Sequence, residues 1–313
     1  MGARRGGGGS AAGGRVNAIT LFAGAGGADL GMQRAGVRHL ACVEGDATAC
    51  ATLRAAGFPA VHAWIGTPPP GSKLTGWRWD GGPVDLLWAS PPCQPYSMAG
   101  KQLGAADPRD GWPATLEAIQ AIRPRWVIIE NVGGAPVEGW ATALGGLFAR
   151  YRFPCVSWAA LDAANWGLPS HRTRQFLVAG PEPYRWPEPT HCGPDAPVAA
   201  RLRLLPWVGF EEALGLVGAV RATREVHKPV VEREEQIIKG PCQCIGATYS
   251  GNLAGQPYVL TGGRRPLTWQ ECAILLGFPP GYPFQGRTSA KYRQIGNAVA
   301  PVMAEALVRA LPG

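Results

Sequence analysis

No Cys-x-x-Cys pair occurs in this chain, and its eight cysteines (42, 50, 93, 155, 192, 242, 244 and 272) are scattered over 313 residues. That spacing argues against a disulfide framework or a zinc ribbon and fits a reducing cytoplasm. Cys242-Gln243-Cys244 and His191-Cys192 follow no recognised ligand spacing, so no metal site is expected. There is no apolar stretch of membrane-spanning length, and residues 1–14 lack the hydrophobic segment of a secretory signal. No membrane association is expected, and the Gly/Arg-rich 1–14 reads as a disordered tail. Acidic residues are the minority, 22 against 30 basic, which leaves a net charge of +8 and a pI near 9.3. That balance favours a polyanionic partner. Lysine is scarce too, 5 of the 30, and with 44 glycines and 30 prolines this reflects a GC-rich genome as much as function.

What is present is a rhythm. Apolar runs at 17–22, 40–44, 61–65, 84–90, 126–132, 156–161 and 176–179 alternate with segments of helical length. The pattern predicts an α/β fold with a doubly wound, mainly parallel sheet. From Pro181 to about Gly263 the texture changes: prolines and glycines crowd in, apolar runs shorten, and charges cluster at Glu232-Arg233-Glu234-Glu235. A small irregular domain is expected there. Helical patterning returns at 268–276 and at 299–311, where Val302, Ala306 and Leu307 share a face. The expected division is a tail, 1–14, a main domain, 15–180 with 286–313, and a smaller one, 181–285.

Three features carry chemistry. The 84–90 run ends at Ser90-Pro91-Pro92-Cys93-Gln94, where two prolines stop the strand and leave a thiol on a short loop at its carboxyl end. Open α/β sheets bind their ligands there. The next run ends at Glu130-Asn131-Val132. Cys93 and Glu130, at the ends of strands expected to be neighbours, suit covalent catalysis with acid assistance. Finally, Phe22-Ala23-Gly24-Ala25-Gly26-Gly27 follows the first run, and Glu44, about 20 residues on, closes the second. The glycines allow close approach to a ligand, and an acid there can accept from ribose hydroxyls, although the spacing is not the dinucleotide GxGxxG. An adenosine-containing ligand is expected.

These residues resemble the DNA (cytosine-5) methyltransferase family, in family order over nearly the whole chain. Phe22–Gly27 is similar to its S-adenosylmethionine loop and Glu44 to its ribose acid. Pro91-Pro92-Cys93-Gln94 and Glu130-Asn131-Val132 match its two catalytic motifs, and Asp107-Pro108-Arg109 resembles the segment after its mobile loop. Arg172-Thr173-Arg174 resembles its arginine pair. Arg265-Pro266-Leu267-Thr268, Glu271 and Gly277-Phe278-Pro279 are similar to the motif that braces its recognition domain, and Gln294–Val299 to the motif that completes the cofactor pocket.

The resemblance implies a Rossmann-like class I methyltransferase acting on a cytosine flipped out of double-stranded DNA. Cys93 would attack C6 as a thiolate, Glu130 would supply a proton at N3, and Arg174 would hold O2. Arg172 would contact a phosphate or the mobile loop. S-adenosylmethionine would lie against Phe22, Ala23, Gly24, Gly26, Glu44, Trp64, Ile65, Pro91, Asn297 and Val299. Asn131 would fix the strand end. The loop 94–112 would close over DNA, with Gln94, Ser97, Lys101 and Arg109 at the backbone. Arg221, Arg224, Gln243, Tyr249, Ser250 and Asn252 are candidate base readers. Four positions depart from the family: Ser170 for glutamine, Ala300 for proline, Gly45 where a bulky residue is usual and Trp64 where aspartate is usual. The last two suggest that Trp64 takes over stacking on adenine. The expected protein is a monomer near the nucleoid of a bacterial or phage-infected cell, with or without a cognate restriction endonuclease. Methylation of tRNA and a non-catalytic DNA-binding role remain the alternatives, although no Cys-Phe-Thr signature of the tRNA branch is present.

Overall fold

Four of the apolar runs are too hydrophobic on both faces to border solvent, and they become adjacent interior strands. A computed structural model describes residues 15–68, 71–92, 110–133, 135–142, 146, 154–215, 220–223, 235–236, 240–242, 244–246, 257–259 and 265–312. Its main sheet contains β1 (Asn17–Leu21), β2 (Arg38–Glu44), β3 (Ala60–His62), β4 (Leu86–Ala89), β5 (Trp126–Asn131), β6 (Cys155–Asp162) and β7 (Thr173–Gly180). The order across the sheet is β3-β2-β1-β4-β5-β7-β6. β3 to β5 run parallel, whereas β7 is antiparallel to both neighbours, β5 and β6. Every residue of β4 and β5 is buried, as parallel strands covered on both faces require.

Alternation along the strands divides the core. Ile19, Leu21, Val43, Leu87, Val127 and Ile129 face one way, where Ile119 of α3 (Trp112–Ile122) covers them. Ala18, Leu86, Trp88, Trp126 and Ile128 face the other, under α1 (Gly27–Arg34) and a C-terminal helix, Pro301–Arg309. Between the first two strands and α3 lies α2 (Ala47–Ala55), whose N-cap Asp46 accepts from the Thr48 and Ala49 amides. Two short helical turns, Val198–Arg201 and Phe210–Leu214, precede the longer α4 (Trp269–Leu275) and α5 (Thr288–Asn297). A capping box joins Thr268 to Glu271 at the start of α4, and Arg265 grips the same carboxylate with two bonds of 2.8 and 2.9 Å.

Two expectations shift. The third strand is Ala60–His62 rather than 61–65, because the chain then pairs with its own continuation: the Trp64 amide donates to Thr75 and its carbonyl accepts from Trp77. In α6 (Pro301–Arg309) the buried residues are Pro301, Met303, Ala304, Leu307 and Val308, whereas Val302 and Ala306 are only partly covered.

The 181–285 segment is interleaved with the main body. Tyr184 packs among the main-sheet residues and donates to the Leu307 carbonyl. Leu267, Phe278, Tyr282 and Phe284 share a cluster with Ala25, Ile295 and Ala298. Farther out, Glu235–Gln236, Val220–Thr223, Pro257–Val259 and Arg265–Pro266 form a small antiparallel sheet in that spatial order.

α1 and α6 touch backbone to side chain. A Cβ built on Gly31 would lie 2.1 Å from the Pro301 carbonyl oxygen and 2.8 Å from the Ala304 Cβ, so only hydrogen fits. Gly31→Ala is expected to destabilise the protein by roughly 1–3 kcal/mol, the usual cost of overpacking. Urea denaturation measures it, and an unchanged midpoint would mean that the helices separate freely.

Candidate active site

The carboxyl ends of β1, β2, β4 and β5 open into one cleft, a cavity of about 270 Å³. After β1 the chain turns sharply: Phe22 has φ 55°, and Gly24 and Gly26 are also left-handed. A left-handed phenylalanine is strained, and such strain concentrates at functional sites. Phe22, Ala23, Gly24, Ser90, Pro91, Pro92, Glu130, Arg174, Asn297 and Val299 all line the cleft.

Glu44 organises the glycine turn. Its carboxylate accepts from the Gly24 amide at 2.8 Å and from the Asp46 amide at 2.7 Å. Burial pushes this carboxyl above its usual range, against those backbone bonds. The cleft adjoins a larger cavity of about 720 Å³, where Glu44, Gly45, Trp64, Ile65 and Pro92 meet α3 at Ala114 and Glu117. A Cβ on Gly45 would stand 4.0 Å from the Trp64 indole, so the ring lies over the space that a larger residue would fill.

Glu130 is 7% exposed. Its Oε1 lies 3.2 Å from the Arg174 Nε. Ser90 bonds to the carboxylate, and the Ser90 oxygen itself accepts from the Trp88 indole at 3.1 Å. Burial raises the Glu130 pKa, whereas Arg174, Arg172 and Ser90 oppose the rise. The result is a carboxyl that keeps its proton more readily than an exposed one. Asn131 donates to the Pro91 carbonyl at 3.0 Å and accepts from the Val132 amide, so it ties the β5 end to the Pro-Pro turn as expected of a structural residue.

Arg172 differs from its expected role at a phosphate or the mobile loop. It is 2% exposed and donates inward, to the Gly296 and Ala298 carbonyls at 2.9 and 2.5 Å and to the Ile245 carbonyl at 3.4 Å. Burial, with Arg174 nearby, lowers its pKa to about 10, so it remains charged. Ser170, where glutamine is usual, bonds to the Leu275 carbonyl. Val299 both borders the cleft and packs in the core, whereas Asn297 is exposed at the mouth.

Cys93, Gln94, Ser97, Lys101, Arg109, Arg224, Gln243, Tyr249, Ser250 and Asn252 lie outside the described residues, and Arg221 is described only as backbone, opposite Tyr258. Sequence reasoning passed over Ser90, Asp46 and Gln294, which also line the cleft. Their signal was adjacency: Ser90 precedes the Pro-Pro, Asp46 follows Glu-Gly, and Gln294 begins the last motif.

A family model for C-5 cytosine-specific DNA methylase matches residues 16–200 and 210–312. The chain belongs to that family. The type II methyltransferase M.NgoMIV of Neisseria gonorrhoeae is 31% identical over 94% of this chain and 96% of its own length. M.NaeI, a type II methyltransferase of Lentzea aerocolonigenes, is 32% identical over 93% and 73%. Among solved structures, the S. pombe Dnmt2 methyltransferase aligns with a TM-score of 0.63 at 18% identity over 94% and 98% of the two chains, which bears on the fold alone. The protein is therefore a DNA cytosine-5 methyltransferase with the class I methyltransferase fold. Among the described residues of this methyltransferase no helix is long and apolar enough to cross a membrane.

The buried Glu130 makes folding depend on pH. A carboxyl with a raised folded pKa contributes fully below its unfolded value, and that contribution is lost as pH rises through the raised one. Glu130→Gln removes the loss. Its melting temperature should gain on the wild type as pH climbs from about 4 to about 8. Parallel calorimetric curves would mean that Arg174 and Ser90 offset the burial completely.

Proposed function

We propose that this methyltransferase carries a methyl group from S-adenosylmethionine to C5 of a cytosine flipped out of double-stranded DNA, through a bond between Cys93 and C6. The observation that carries the reading is the cleft itself. A protonatable Glu130, braced by Arg174, shares one cleft with the glycine loop and with Pro91-Pro92, the residues that lead into Cys93.

The residues fit an adenosine-bearing cofactor. Glu44 already accepts two backbone N–H bonds, and each carboxylate oxygen has a second lone pair for a ribose hydroxyl. Trp64 and Ile65 would flank adenine in the larger cavity, and Phe22, Ala23, Gly24, Gly26, Pro91, Asn297 and Val299 would border the rest. Bound there, S-adenosylmethionine supplies an electrophilic methyl group.

On the protein side, Cys93 would attack C6 as a thiolate while Glu130 gives a proton to N3, so that negative charge does not build up on the ring. Arg174 would hold O2 and keep Glu130 oriented. After C5 is methylated, loss of the C5 proton breaks the Cys93–C6 bond and restores the aromatic ring. Duplex DNA as partner agrees with the net charge of +8. The type II names of the relatives favour service beside a restriction endonuclease in a bacterial cytoplasm. The enzyme would act on DNA as a monomer.

Duplex DNA with 5-fluorocytosine at the target should trap the protein covalently, because fluorine cannot leave as a proton. Mass spectrometry should place the DNA on Cys93. An adduct that persists in Cys93→Ser, or that maps to another cysteine, overturns the mechanism.

Trp64 is expected to stack on adenine in place of the bulky residue missing at Gly45. Trp64→Ala should weaken S-adenosylmethionine binding by about 1 kcal/mol or more, the range for aromatic pairs. Titration calorimetry on the folded variant reads this directly, and unchanged affinity would return the indole to a packing role.

A further inference from the structure

A buried cluster built on Asp29 adjoins the cleft through Thr20, and the methyl-transfer chemistry does not use it. Asp29 of α1 is 0% exposed. Its Oδ1 accepts from the Thr20 hydroxyl at 2.6 Å and from the Cys42 thiol at 3.1 Å, and it lies 3.4 Å from the Nε2 of His39. The His39 side chain is 5% exposed. Two buried atoms of the cluster have no hydrogen-bond partner, Asp29 Oδ2 and His39 Nε2.

His39 and Cys42 are three apart on β2, an offset that puts side chains on opposite faces of a regular strand. A bulge cancels the offset. Ala18 pairs with His39 but Ile19 pairs with Ala41, so Leu40 is the extra residue, and Thr20 then faces Cys42. One inserted residue thus aims imidazole and thiol at the same carboxylate, and bulges commonly serve to redirect a side chain.

We propose that Asp29, His39 and Cys42 form a buried site for one zinc ion. Buried carboxyl groups are hydrogen-bonded, paired or bound to metal; one Asp29 oxygen is met by a hydroxyl, a thiol and, at 3.4 Å, an imidazole nitrogen, and the other has no partner. Nitrogen, sulfur and oxygen donors together suit zinc and exclude ions that want oxygen alone. Two ligands around tetrahedral zinc stand about 3.3–3.6 Å apart, given bonds of roughly 2.0–2.3 Å. The contacts of 3.1 and 3.4 Å lie near that spacing, and the three donor atoms all fall within 4.8 Å of one another. The unpartnered Oδ2 allows Asp29 to bind through both oxygens and complete four donors.

Binding displaces the Cys42 thiol proton to solvent as the S–Zn bond forms. Zinc there would pin α1 to β2. This departs from the expectation of no metal, which rested on spacing along the sequence.

The test uses the full chain purified without a histidine tag. Elemental analysis should find about one zinc per chain, and cobalt exchanged into the protein should give a sulfur-to-cobalt charge-transfer band. Cys42→Ser and Asp29→Asn should lose the metal. X-ray absorption on the zinc-loaded wild type, which needs no variant to fold, should show one sulfur with nitrogen and oxygen donors. Folded wild-type protein that takes up no zinc after dialysis against it, a shell without sulfur or with two or more, or retention by both folded variants overturns the proposal.

Discussion

One buried guanidinium holds the last motif against the sheet. Arg172 enters at the head of β7 with almost no contact with water, and its guanidinium is answered by the main-chain oxygens of Gly296, Ala298 and Ile245. An arginine so placed is tolerable only because several carbonyls bond it in fixed directions, and its planar fork makes that geometry unforgiving. The three oxygens come from two parts of the chain. Gly296 and Ala298 belong to the segment that closes the cleft beside Asn297 and Val299, and Ile245 belongs to the irregular segment. The residue just before β7 thereby fixes the cleft-lining segment around Asn297 and the stretch at Ile245 together.

The same arrangement shapes the electrostatics of Glu130. Arg172 and Arg174 both oppose the effect of burial on this carboxyl, but only Arg174 touches it. Arg172 is committed to carbonyls and acts through space. The division keeps one arginine partly exposed beside the cleft, while the other remains structural. Of the pair read in sequence as two site residues, Arg174 meets Glu130 and Arg172 braces main-chain carbonyls.

The sheet was legible because alternation and run length are local: all seven strands lie where the apolar runs placed them, most with ends moved by one or two residues. Glu44 and the Pro-Pro turn were legible for a related reason, since the carboxyl end of a parallel strand is where ligands bind. What the residues alone hide is long-range pairing. Nothing near Arg172 announces partners more than seventy residues away, and nothing near Trp64 shows that its backbone will turn from β2 to Thr75 and Trp77. The bulge at Leu40 was equally silent, because a one-residue slip leaves the hydrophobic pattern of 40–44 intact.

The pairing of Trp64 with Gly45 follows from that same turn. A strand continuing straight through 64 and 65 would send successive side chains to opposite faces of the sheet. Because β3 stops at His62, the residue two past its end is free to lay its ring across the end of β2, where Gly45 leaves room. The indole therefore reaches the end of β2 beside Gly45, where an added Cβ would stand 4.0 Å from the ring, ordinary van der Waals contact rather than a clash. The space beside Gly45 and the ring of Trp64 are thus set by the same turn of the chain after His62.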